Sequence, residues 1–144
     1  MSISVINLTK NYGSQKAVNQ VSFTVNKGEI VGFLGPNGAG KSTTMKIITG
    51  YLESDEGEIK VCGMSVYLEQ VETKKKIGYL PEANPLYLEM YVKEYLAFIA
   101  GVHKINNPEK RITEVIQLVG LGPESGKKIG QLSKGYKQRV GLAA

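Results

Sequence analysis

The chain has 144 residues, 42% hydrophobic and 22% charged, which is material for one packed domain or slightly more. No apolar run approaches the roughly 20 residues of a membrane span, and Met1-Ser2-Ile3-Ser4 has neither the basic nor the apolar segment of a secretory leader. The net charge of +5 is uneven: the first 72 residues carry 6 basic and 7 acidic side chains, the last 72 carry 12 and 6. A basic half suits nucleic acid, an anionic membrane surface or a plain solvated face. No aromatics are interleaved with the basic clusters as base-stacking platforms require, which argues against nucleic acid.

In chain order, Ile3–Leu8 reads as a first strand and Val21–Val25 as a second, with cleaner alternation. Between them, Lys10-Asn11-Tyr12-Gly13 reads as a loop, and Tyr12 alone would be a loop tyrosine covering core. Asn26–Glu29 is a tight turn into Glu29–Leu34, an apolar run of strand type. Gly35-Pro36-Asn37-Gly38-Ala39-Gly40-Lys41-Ser42-Thr43 follows and fits the phosphate-loop pattern G-x-x-x-x-G-K-[ST] at Gly35, Gly40, Lys41 and Ser42. A helix comes next, with Met45 and Ile48 on its buried face. Strand, glycine loop and helix is the context this motif demands.

The chemistry of the loop follows from its parts. Gly35, Gly38 and Gly40 lack a Cβ, so the backbone can take turns closed to other residues and approach an anion. The N–H groups of Gly38 to Ser42 would form a nest at a helix N-terminus that already favours negative charge. Lys41 would set its ammonium between the β- and γ-phosphates, Ser42 would offer its hydroxyl to Mg2+, and Thr43 would reach the α-phosphate. The bland counter-reading is a glycine-rich turn without a ligand; Lys-Ser-Thr in register favours nucleotide.

Gly50 stops the helix, Ser54–Gly57 is an acidic turn, and Gly57–Gly63 a short strand that contains the lone cysteine, Cys62. One cysteine permits no internal disulfide and suits a reducing compartment. Val66–Lys76 reads as a surface helix whose Lys74, Lys75 and Lys76 complement the helix dipole. Ile77–Leu80 is a buried-strand candidate closed by Pro81, and Glu82 is a carboxylate at its end, where α/β sheets hold ligands; an exposed loop glutamate is the plain alternative.

From Tyr91 the character is helical. Val92, Tyr95, Leu96, Ile99 and Val102 form one core stripe, and His103 ends the helix as a capping or surface residue. Pro108 opens a second helix with Ile112, Val115, Ile116 and Val119 inside, ended by Gly120 and Gly122-Pro123. Ser133 is a good N-cap for a last helix through Val140 and Ala143, and Gly135 would permit close approach of an anion there; ordinary capping explains the segment equally.

In this order, Tyr12, the loop Gly35–Thr43, Glu82 and Leu132-Ser133-Lys134-Gly135-Tyr136 resemble the aromatic loop, Walker A, Q-loop and signature of the ATP-binding subunits of ABC transporters. Ile77–Glu82, Asn84–Tyr87 and Tyr91–Leu96 resemble the exporter branch with drug, sodium and gliding-motility transporters, the last being nearest. The resemblance implies an α/β fold: a P-loop NTPase (ABC ATPase) core with an antiparallel β-subdomain plus an α-helical subdomain, incomplete. The implied division is 1–82 for the core and β-subdomain, 83–135 for the helical subdomain, and 136–144 for a helix returning to the core.

The resemblance also implies roles. Tyr12 would stack on adenine with Val18 near the ribose. Gly35, Pro36, Asn37, Gly38, Ala39, Gly40, Lys41, Ser42 and Thr43 would hold the ATP phosphates. Lys41 and Glu82 would be catalytic, and Ser42 and Glu82 would hold Mg2+. Ser133 and Gly135 would bind the γ-phosphate of ATP on a second ATP-binding subunit in a head-to-tail dimer, beside a transmembrane permease subunit on the cytoplasmic face of the inner membrane.

Glu82 stands where glutamine is usual, and Leu-Ser-Lys-Gly-Tyr where Leu-Ser-Gly-Gly-Gln is usual; both leave turnover that depends on these motifs in question. The run of four apolars and Asp-Glu that carries the catalytic glutamate is missing, as is the switch histidine, since His103 precedes the signature. The chain is therefore expected to be the N-terminal part of a longer subunit, hydrolytically incompetent by itself, with unpaired strand edges. A soluble ABC-type ATPase acting on nucleic acid or ribosomes is the alternative, disfavoured because no long heptads separate Glu82 from Ser133. A small-molecule kinase would leave the signature segment unexplained.

Overall fold

The computed structural model describes residues 2–144, which divide into two compact units, one running to Tyr79 and the other Leu80–Ala144. The first is an antiparallel sheet with two helices. Its strands β1 (Ile3–Tyr12), β2 (Gln15–Val25), β3 (Glu56–Val61) and β4 (Met64–Ser65) lie in the order β2-β1-β3-β4. The two long strands form a hairpin: Ile3 pairs with Val25, Tyr12 pairs with Gln15, and Gly13 turns at φ 58°. Tyr12 thus ends a strand, and the expected loop shrinks to two residues.

Val5 and Leu8 on β1, Val18 on β2 and Ile59 and Val61 on β3 point to one face. Helix α1 (Lys41–Ile48) closes that face with Ile47 and Ile48, joined by Val66. Each such aliphatic side chain contributes about 1.5–3 kcal/mol when fully buried. On α1 the inner face is Thr44, Ile47 and Ile48, and Met45 is exposed, contrary to the three-residue spacing that pairs Met45 with Ile48. Thr44 is tolerated inside because its hydroxyl donates to the Gly40 carbonyl at 2.9 Å.

Three expected elements differ. Residues 29–34 form no strand: Ile30 and Leu34 are almost wholly exposed, and Phe33 alone tucks inward, 5.4 Å from the Phe23 ring. A strand exists only if its backbone groups find partners, and none of the described strands pairs with this run. Ile77–Leu80 is irregular for the same reason, with Tyr79 and Leu80 exposed. The expected helix Val66–Lys76 contracts to α2 (Gln70–Lys74), because Val66 is drawn into the core and the Tyr67 hydroxyl contacts Ser54 Oγ at 2.6 Å. Cys62 is exposed in the turn after β3 at φ 52°, outside the strand.

The second unit is helical: α3 (Val92–Val102), α4 (Pro108–Leu118) and α5 (Lys134–Ala143). Glu94 accepts from the Tyr91 N–H at 3.1 Å to start α3, Pro108 occupies the first turn of α4, and His103 caps α3. Val92, Tyr95, Leu96, Ile116, Leu121, Ile129, Leu132 and Val140 make the core; Val102, read as part of the stripe, is exposed. The strap 88–92 runs beside 127–130 through bonds such as Ile129 N–H to the Met90 carbonyl, 2.9 Å. Helix α5 contributes Val140 to this core, with Tyr136 and Ala143 packed against it.

Candidate functional site

The glycine loop is an ordered turn at the start of α1. Gly38 and Gly40 take φ 83° and 81°, the left-handed region, and the Ala39 N–H donates to the Pro36 carbonyl at 3.2 Å. Gly40 is the N-cap of α1, and no side chain caps that end, so the first N–H groups of the helix lack a side-chain acceptor. A methyl group at Gly40 would collide with the Ala17 carbonyl and lie 3.0 Å from Val18 Cγ2. The loop therefore rests directly on β2, which leads back to Tyr12 through the hairpin.

Lys41 folds over the loop. Its Nζ donates to the carbonyls of Gly35 at 2.6 Å and Pro36 at 2.7 Å. Ser42 is exposed on the first turn, and Thr43 is half-buried beside it. Tyr12, 52% exposed, stands at the hairpin tip with Lys10 Nζ over its ring, 6.0 Å from the centroid. Val18 is 3% exposed and packs beneath Gly40, in the core of the sheet unit.

The other residues of interest belong to the helical unit. Ser133 caps α5, its Oγ accepting from the Tyr136 N–H at 3.4 Å, and Gly135 on the first turn has open space around its Cα. Tyr136 packs on the core with the Arg139 guanidinium 5.3 Å from its ring, and Arg139 also donates to the carbonyls of Val119 and Gly120. Glu82 is exposed, and its backbone carbonyl accepts from Gln138 Nε2 on α5; Gln138 Oε1 accepts from Asn84 at 3.1 Å. Glu82, Asn84, Lys134, Lys137 and Gln138 share the walls of a cavity of about 300 Å³. Glu82 and the α5 N-terminal segment are thus brought together within one unit, as the phosphate loop, Val18 and the Tyr12 hairpin are in the other.

Sequence reasoning missed the cluster around Asp55. Its carboxylate accepts from Lys10 Nζ at 2.8 Å, the Asn11 N–H at 2.6 Å and Asn11 Nδ2 at 3.0 Å. The hydrogen bond from Lys10, then that from the Asn11 backbone, hold its carboxyl below the ordinary 3.8, and Lys10 is raised above its ordinary 10.5 by the same bond. The signal available was an aspartate in an acidic turn, with partners more than 40 residues away.

A left-handed glycine turn opening a helix against an antiparallel sheet, with a lysine drawn over it, defines a phosphate-loop α/β protein. The chain belongs to the ABC transporter family, whose model matches residues 18–144. It is 40% identical over 144 residues to the bacitracin transport ATP-binding protein BcrA of Bacillus licheniformis, covering 98% of this chain and 46% of that one. It is 39% identical over 140 residues to the linearmycin resistance ATP-binding protein LnrL of Bacillus subtilis, covering 96% and 45%. The chain spans about half the length of these curated relatives. A solved ATP-binding subunit of an ABC transporter superposes with a TM-score of 0.85 at 30% identity, over 99% of this chain and 60% of that one. A putative ABC transporter ATP-binding protein from Pyrococcus furiosus gives 0.81 at 31%, over 98% and 68%.

Proposed function

We propose that these residues belong to an ATP-binding subunit that couples ATP binding and hydrolysis to export across a membrane. The observation that carries this is the loop: two left-handed glycines, a helix start whose N–H groups no side chain caps, and an ammonium held there by carbonyl oxygens that phosphate oxygens can replace. Gly35–Thr43 bind the triphosphate, Lys41 neutralises charge as the terminal bond breaks, and Tyr12 stacks on the base. Ser133 and Gly135 meet the γ-phosphate on a second, head-to-tail subunit. Relatives named for bacitracin transport, linearmycin resistance and SkfA peptide export support outward transport.

Mg2+ fits the donors present. In the sheet unit Ser42 offers an exposed hydroxyl, and in the helical unit Glu82 offers a carboxylate; each is a hard oxygen donor of the kind Mg2+ takes. Ser42 and Glu82 would hold the ion, which would neutralise charge on the phosphates. No described helix is long and apolar enough to cross a membrane. The permease is a separate transmembrane partner, and the subunit sits peripherally on the cytoplasmic face of the cell membrane.

Lys41→Ala in the complete subunit tests the reading. Nucleotide binding disappears in calorimetry while the circular dichroism spectrum is unchanged; unaltered affinity overturns the assignment.

A further inference from the structure

The end of β1 outruns its neighbour. The ladder between β1 and β3 stops at Thr9 opposite Glu56, while β1 continues through Lys10, Asn11 and Tyr12 paired with β2 alone. The register with β2 shifts on both sides of Lys10. A two-stranded ribbon of this kind is marginal in water. Asp55, immediately before β3, supplies what β3 no longer can. Its N–H donates to the Thr9 carbonyl at 3.0 Å, and its carboxylate takes the Asn11 N–H as a strand carbonyl would. The same carboxylate fixes Lys10, only 15% exposed, whose ammonium lies over the Tyr12 ring. Both residues preceding Tyr12 are therefore pinned by one side chain.

We propose that Asp55 is a positioning residue for recognition of the nucleotide base. It holds the β1 tip and the Lys10 ammonium so that the half-exposed Tyr12 ring is presented in one orientation to a flat aromatic ligand. The inference rests on the reading of Tyr12 as the adenine-stacking residue, and Asp55 acts through Lys10 and Asn11 without touching the ligand. A fixed aromatic ring loses less freedom on binding than a mobile one, so the clamp appears as affinity for the base and not for the phosphates.

The complete subunit is titrated with ATP and, separately, with inorganic tripolyphosphate, which engages the loop but has no base. Tyr12→Ala weakens ATP about tenfold, the lower range for loss of one base stack, and leaves tripolyphosphate unchanged. Asp55→Ala weakens ATP by about fivefold and tripolyphosphate by less than about twofold; in the Tyr12→Ala background it changes ATP affinity by less than about twofold, because the two act through one contact. Asp55→Asn, which keeps an acceptor for Asn11 but drops the charge facing Lys10, falls between. If Tyr12→Ala leaves the ratio of the two affinities unchanged, the stacking reading falls and this inference with it. If Tyr12→Ala discriminates, any of three results overturns the role of Asp55 alone: an equal loss of both probes, a loss that adds to that of Tyr12→Ala, or no loss in either Asp55 variant.

Discussion

Two glycines from the two motif segments carry opposite structural burdens. Gly40 sits at φ 81° with a neighbouring carbonyl where a Cβ would stand, so Gly40→Ala destabilises the fold by about 1–3 kcal/mol, read from urea unfolding. Gly135 has ordinary helical backbone and free space around it, and Gly135→Ala leaves the urea midpoint within about 0.5 kcal/mol of the parent. Loss of ATP turnover in the complete subunit on that second substitution then reflects close approach of a ligand. Asp55 gives a pH prediction. Its folded value is depressed, so its contribution is intact above the ordinary 3.8 and is lost as pH falls through the lower folded value. Lys10, raised, contributes below 10.5 and loses its part as pH rises through the higher folded value. The Asn11 amide resonance reports the acid step, and Asp55→Asn removes it. The motif glycines were legible because their requirement is local. Asp55 was not, since its worth lies in partners that the sheet delivers from far along the chain, and Val18 reads from sequence as readily for surface as for core.

At the level of elements, the same distinction decides what could be read. Helices α3 and α4 declared themselves by apolar periodicity and by Pro108, and α5 by Ser133, whose Oγ takes the Tyr136 N–H. Ser133→Ala costs about 1 kcal/mol in thermal or urea unfolding through loss of this cap. The run Glu29–Leu34 has every local mark of a strand, yet strands are made by neighbours, and Ile30, Val31 and Leu34 have none among the described elements. Met45 and α2 failed for a different reason. Over a span of eight residues or fewer, helical periodicity leaves the buried face undecided, and a single anchored side chain such as Val66 can end the helix pattern early.

For the whole molecule, the family was legible from four short motifs, while the state of the exposed run was not fixed by any of them. Ile30, Val31 and Leu34 standing in water are an association hazard. The 144-residue chain, expressed alone, sediments as species larger than a monomer, and Ile30→Lys with Leu34→Lys shifts it toward monomer. A clean monomer for the parent chain would count against this. The bond from Gln138 to the Glu82 backbone has a mechanical consequence. It ties the backbone at Glu82 to the body of α5, so the two move as one piece within the helical unit. Cutting that bond with Gln138→Ala leaves the helix held by its apolar face and by Arg139, and lets the segment at Glu82 shift without it.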